Sequence, residues 1–310
     1  MTRRAAGTVL LALVALLGVL LGAIAADPLG SLRLFGEASM SVGGAHAEFF
    51  GAPDGTTLRA LVVGPLSAER PVVLLHGLGA DATYWTRTVH ALRKAGRTVI
   101  VPDAPGSGGS DAPAAPDGFS LAARVAAVEA LGAALRLDRI DLVGHSLGGA
   151  TAGLFALAHP GRTGALVLVD AAGFSRATEA QIENFGRLTR PRNRAEGRRL
   201  MDLLFFRKPL PPAGVVVDGL SRKFREPNVR TTIEEAGRPD VLRGHEGALP
   251  RGTVLIWGAN ESLFPVADAR AAAAKIPGGS LHVVEGAGHD VPLEAPEAFL
   301  KILLPALGAR

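Results

Sequence analysis

Short, largely apolar stretches recur along the middle and end of the chain. Residues 71–75 (PVVLL), 98–101, 140–143, 165–169 (ALVLV), 253–257 (TVLIW) and 280–284 (SLHVV) read as strands. Between them, residues 82–92, 121–135 and 147–158 place apolar side chains at helical spacing, and Ser120 is suited to cap the second of these. A last helix is expected from about 296 to 307. Strands that are continuously apolar, rather than alternating, are buried on both faces, so the pattern predicts an α/β protein with a mostly parallel sheet between helices. Upstream, residues 45–50 and 57–63 flank the turn Ala52-Pro53-Asp54-Gly55 and predict a hairpin.

The rhythm breaks between residues 175 and 249, where helical patterns, arginines and prolines occur without a buried strand. Thr178 and Gln181 there have capping-box spacing. A helical insertion in an α/β core is well placed to be a lid. The expected organisation is an N-terminal segment (1–26), a linker (27–44), the first part of the core (45–174), a helical cap (175–249) and the second part of the core (250–310).

Residues 7–26 contain Thr8 as their only polar side chain. At about 1.5 Å per residue such a run spans about 30 Å, the thickness of a bilayer core. Arg3 and Arg4 precede it, which places the rest of the chain outside the cytoplasm. The favoured reading is a retained membrane anchor. The alternative is a signal peptide cleaved at Ala23-Ile24-Ala25, leaving a secreted or periplasmic protein.

Charge changes the picture little. The 33 Lys and Arg against 29 Asp and Glu leave +4, and no basic run is interleaved with aromatics, which argues against a nucleic-acid partner. The arginines between 187 and 199 read as a solvated face, with attraction to an anionic membrane surface as the alternative. With no cysteine, disulfides, thiolate metal sites and a cysteine nucleophile are excluded. No His pair has H-E-x-x-H spacing, and neither a metal nor another cofactor is expected.

Candidate chemistry centres on Gly144-His145-Ser146-Leu147-Gly148, at a predicted strand-to-helix junction. So tight a reversal strains its middle residue and brings the positions two away into collision. Gly144 and Gly148 remove that collision and lift the Ser146 hydroxyl above the sheet. A serine needs a base. His289, in the turn Gly286-Ala287-Gly288-His289 after the last strand, is the candidate; His282 lies within that strand, and His145 adjoins the serine. A third group must orient the base. Glu261 is the only carboxylate in Gly258-Ala259-Asn260-Glu261-Ser262, and Asp170, at the end of another strand, is the second candidate; Asp290 is too close to His289 in sequence to reach its Nδ1. An oxyanion hole requires two donors. Those expected are the Leu147 and Leu78 backbone N–H groups, the latter in His76-Gly77-Leu78-Gly79. The loop 103–111 (DAPGSGGSD) lacks a phosphate-loop ending, so Asp103 and its glycines read as structural, shaping the pocket rim.

Taken together, HGLGA at 76–80, DAPGSGGSD at 103–111, GHSLGG at 144–149, WGANESLFP at 257–265 and GAGHDVPLEAPEAF at 286–299 resemble the α/β-hydrolase superfamily. The apolar N-terminus and VDAAGF at 169–174 are similar to membrane-anchored monoacylglycerol-lipase-like and bacterial lipase-like members. The resemblance implies an eight-stranded sheet with an inserted cap. It also implies a serine carboxylic-ester hydrolase acting through an acyl-enzyme on small-molecule, lipid-like esters. Acyltransferase, C–C-bond hydrolase and cofactor-free haloperoxidase chemistry are the alternatives on the same machinery; a non-catalytic binding protein is the alternative of another class. The chain departs from the family in one place: Glu261 stands where Asp is usual, so either its loop is set back or the acid has moved.

Overall fold

The computed structural model describes Gly22 and residues 26–66, 70–115, 117–176, 183, 185–187, 189–207, 213–236 and 240–308. Apart from Gly22 and Ala26, the apolar run 7–26 lies outside the described residues, as do Thr178 and Gln181. Among the described residues, no helix is long and apolar enough to cross a membrane.

The elements follow in the order α1 (Pro28–Val42), β1 (His46–Gly51), β2 (Thr57–Val63), β3 (Val72–Leu75), α2 (Thr86–Lys94), β4 (Val99–Pro102), α3 (Leu121–Ala134), β5 (Ile140–His145), α4 (Leu147–Ala158) and β6 (Thr163–Val169). Then come α5 (Arg194–Leu204), α6 (Ala213–Lys223), α7 (Pro227–Glu235), β7 (Val254–Gly258), α8 (Val266–Ala273), β8 (Ser280–Val284), the one-turn α9 (Val291–Glu294) and α10 (Pro296–Ala306). The expected hairpin forms: β1 and β2 pair antiparallel, with Gly55 in the turn at φ +87°. Ser120 caps α3 by accepting a hydrogen bond from the Ala123 N–H.

Eight strands form one sheet in the order β1-β2-β4-β3-β5-β6-β7-β8. β2 meets β4 antiparallel, and every pairing from β4 through β8 is parallel. The apolar strands supply two cores because successive side chains leave opposite faces. Val73, Leu75, Ile100, Ile140 and Leu142 pack with Leu131 of α3 and Phe155 of α4. Val72, Leu74, Val99, Val101 and Val143 pack with Trp85, with Leu92 of α2 and with Phe299 and Leu303 of α10. Chain order reverses between β3 and β5, so the loops after these neighbouring strands diverge and open a crevice at the carboxyl edge.

Residues 28–42, expected within a linker, form a helix. The Asp27 side chain caps it by accepting from the Gly30 N–H at 3.1 Å, and Pro28 occupies its first turn. Its glycines and serines, which read as loop signals, serve packing instead. A Cβ on Gly36 would stand 2.8 Å from Thr83 Cβ, and the Ser39 hydroxyl bonds His90 Nε2 at 3.0 Å. Across the insertion, Leu200 of α5, Phe224 and Val229 of α7 form a small core that also touches Leu78. Three of the arginines there pair with acids: Arg190 with Glu234, Arg192 with Glu196 and Arg194 with Asp218. That arrangement is a solvated face, in which each pair contributes little.

Candidate active site

β5 ends at His145 and α4 begins at Leu147, which leaves one residue to turn the chain. Ser146 makes that turn at φ +52°, ψ −120°, a conformation strained for a residue bearing a Cβ. Its backbone is held on both sides: the N–H donates to Val169 O at 3.0 Å, and the carbonyl accepts from Gly149, Ala150 and Ala172. The flanking glycines are required by contact. A Cβ on Gly144 would sit 2.3 Å from Gly148 O, and one on Gly148 would sit 2.3 Å from Leu75 O. Gly77 lets the loop after β3 close over the elbow, since its Cβ would stand 3.0 Å from Ser146 Cβ.

The loops after β5, β7 and β8 bring three side chains into line. His289 Nε2 lies 2.9 Å from Ser146 Oγ, and His289 Nδ1 lies 2.5 Å from Glu261 Oε2. The Glu261 side chain is fully buried, and its other oxygen accepts from the Leu263 N–H. That bond folds the longer glutamate back on its own loop. The loop is tied to the histidine's by the Asn260 N–H donating to Ala287 O at 2.9 Å. The two loops meet so closely that a Cβ on Gly258 would fall 2.0 Å from Gly288 O. Phe264 presents its ring edge-on to His289, with centroids 5.5 Å apart.

Burial pushes the His289 imidazolium toward losing its proton, but the Glu261 charge and hydrogen bond outweigh it, and the net pKa is raised. Asp170 makes no hydrogen bond to His289. Its Oδ1 accepts from the Gly258 N–H at 2.8 Å. Burial first, and the Glu261 charge second, hold the Asp170 pKa well above the usual carboxylate range. Asp290 does not bond Nδ1 either.

Leu78 and Leu147 flank the serine and share an apolar cluster with Leu121, Ala150, Ala172 and Phe264. Leu147 is the first residue of α4, so its N–H lies among the donors that a helix start leaves free. The His76 ring accepts the Ala104 N–H at Nε2 (3.1 Å), so Nδ1 carries the proton and donates to Gly77 O at 2.8 Å. Asp103 is structural: it accepts from the Ala82 N–H, the Gly109 N–H and Arg59 Nε. His282, an exposed residue of β8, is remote in role from this group. Among the described residues, no group of three or more His, Asp or Glu side chains is arranged to hold a metal.

Sequence reasoning passed over a buried set behind His289. Tyr84 stacks on His145 with centroids 4.9 Å apart, His145 Nε2 meets His289 O, and Asp290 lies 3.8 Å from His145. The His in Gly-His-Ser is the one available signal, and its sequence neighbourhood to Ser146 gives no hint that it reaches across to His289.

Comparison with known proteins identifies the family. The chain is 30% identical to an uncharacterized protein of Mycobacterium tuberculosis over 257 residues, covering 75% of this chain and 73% of that one. It is 28% identical to a 2-hydroxy-6-oxo-6-phenylhexa-2,4-dienoate hydrolase of Burkholderia cepacia over 249 residues, covering 76% of this chain and 87% of the relative. Among solved structures, a bacterial membrane phospholipase A superposes with a TM-score of 0.75 at 25% identity, covering 97% of this chain and 98% of that one. Residues 72–302 match the pattern of the alpha/beta hydrolase family, and the chain belongs to that family.

Proposed function

We propose that this hydrolase is a serine carboxylic-ester hydrolase that acts through an acyl-enzyme on esters with apolar acyl chains. The observation that carries this reading is the continuous line Ser146 Oγ, His289, Glu261, with contacts of 2.9 and 2.5 Å. His289 Nε2 takes the Ser146 proton as Oγ attacks the ester carbonyl, and the Leu78 and Leu147 N–H groups receive the oxyanion. His289 then gives the proton to the leaving alcohol. Water, deprotonated by the same nitrogen, releases the acid. Glu261 fixes the ring and offsets the imidazolium charge.

Apolar surroundings favour a hydrocarbon acyl chain. Leu78 joins the cluster beside the serine to that of residues 175–249, the cap under which such a chain would lie. A lipid-like substrate also suits the N-terminus. The apolar residues 7–26 run directly into α1, whose Leu32, Leu34, Phe35 and Val42 are exposed, and we assign this region to a membrane anchor with the enzyme outside the cytoplasm. The second reading is a C–C-bond hydrolase, favoured by the likeness to the Burkholderia cepacia enzyme.

A fluorophosphonate probe and a substrate panel test the proposal. The wild type is expected to be labelled, and Ser146→Ala is not. Nitrophenyl esters of increasing chain length and monoacylglycerols are expected to be cleaved faster than a 2-hydroxy-6-oxo-dienoate. Labelling that persists in Ser146→Ala overturns the nucleophile, and preference for the dienoate overturns the ester assignment.

A further inference from the structure

A cavity of about 30 Å³ lies beneath the loop that follows β3, bordered by Leu75, His76, Asp103, Arg124, Gly148 and Thr151. Arg124 enters it from α3, on the helix face that also buries Ala127, Val128 and Leu131. It is 4% exposed, and its Nε is buried without a hydrogen-bond partner. Among the described residues, no carboxylate pairs with it. Burial lowers its pKa to about 10, so the guanidinium keeps its charge at neutral pH.

The polar groups around the cavity are already engaged. Asp103 accepts the Ala82 and Gly109 N–H groups, and Arg59 Nε at 2.7 Å offsets its charge. His76 Nε2 accepts the Ala104 N–H, and its Nδ1 proton goes to Gly77 O, so the ring has no lone pair left for Arg124. The Thr151 hydroxyl donates to Leu147 O at 3.0 Å. A buried cation without a counter-charge is costly, and this one borders a partly enclosed cavity. A water needs about 10–15 Å³ of such space, so the cavity has room for a monatomic halide or a carboxylate the size of formate.

We propose that this cavity is a binding site for a small monovalent anion, a halide or a formate-sized carboxylate, held by the Arg124 guanidinium. The site is separate from the Ser146 hydroxyl but shares its scaffold. Its walls include His76, which opens the loop carrying Leu78, and Gly148 on the first turn of α4. An occupied site therefore stabilises the fold and the loop over the serine. It does so independently of what the serine cleaves.

Thermal unfolding of the full chain, in sodium chloride, bromide or formate with sodium gluconate holding ionic strength constant, tests this. The three small anions are expected to raise the Tm of the wild type along a saturating curve, as binding to the native state alone requires. Arg124→Met is expected to give a flat response. A wild type that responds no more to bromide than to gluconate overturns the proposal, as does an equal response in Arg124→Met. If that variant does not fold, bromide-soaked wild-type crystals decide. An anomalous peak in contact with the guanidinium supports the site, and a cavity filled by water alone overturns it.

Discussion

His145 Nε2 lies 2.9 Å from the backbone carbonyl oxygen of His289. The side chain next to Ser146 thus braces the main chain of the residue that faces it. Burial, and after it the charge of His289, hold the His145 pKa well below that of a free imidazole. The ring is therefore neutral, and its single proton sits on Nε2, because a carbonyl oxygen only accepts. Replacing His145 with Phe keeps the stacking on Tyr84 but removes this bond. We expect kcat for a short nitrophenyl ester to fall by about 10- to 100-fold with KM little changed, the cost of a base displaced by a fraction of an ångström to an ångström. Unaltered kcat in steady-state assays would remove His145 from any positioning role.

Glu261 and Asp170 are two buried carboxyls of unequal standing. Glu261 meets His289 Nδ1 at 2.5 Å, whereas Asp170 makes no bond to the ring and accepts from the Gly258 N–H. Glu261→Gln is expected to lower kcat by about 10³- to 10⁴-fold, as loss of the correct tautomer does in such arrays. Asp170→Asn should cost less than about tenfold, since its amide retains the Gly258 contact. The sign of the pH effect follows from the raised His289 pKa. The protonated ring cannot accept from Ser146, so kcat/KM rises with pH, and its acid limb lies above the ordinary histidine value. Glu261→Gln removes the charge that raises it and should move the limb to lower pH, measurable in the residual activity.

Gly144→Ala brings a methyl to 2.3 Å from Gly148 O, where both partners are backbone. Unfolding in urea should show a loss of about 1–3 kcal/mol or more. Gly161→Ala, with nothing within 4 Å of the added atom, is the control and should stay within about 0.5 kcal/mol of the wild type.

Asp290 links stability to pH. Burial raises its pKa from 3.8 to about 7, against the opposing charge of His289 and with help from Glu294. A carboxyl whose folded pKa is raised favours the fold when protonated, so its contribution is full below about pH 4 and is lost as pH rises through about 7. Asp290→Asn stays neutral throughout. Its Tm relative to the wild type should increase between pH 5 and pH 8, and a constant difference across that range would show that Asp290 does not titrate in the fold.

What the sequence determined by itself is what local pattern enforces. Continuous apolar runs such as PVVLL and ALVLV specify doubly buried strands, and Gly144 and Gly148 specify the sharp elbow at Ser146, because backbone sterics act over a few residues. Residues 28–42 show the limit. Their glycines and serines read as a linker, and they are helical because Asp27 caps them and Thr83 and His90 pack against them, partners about 50 residues away. The sequence left Glu261 and Asp170 open as partners for His289. Only the tertiary structure decides between them, since both follow strands and the choice depends on where β7 and β8 set their loops. The roles of His145 and Arg124 were likewise invisible. A buried bond to a carbonyl 144 residues away and a charge facing a cavity leave no periodic trace, and they exist only once the sheet brings its carboxyl edge together.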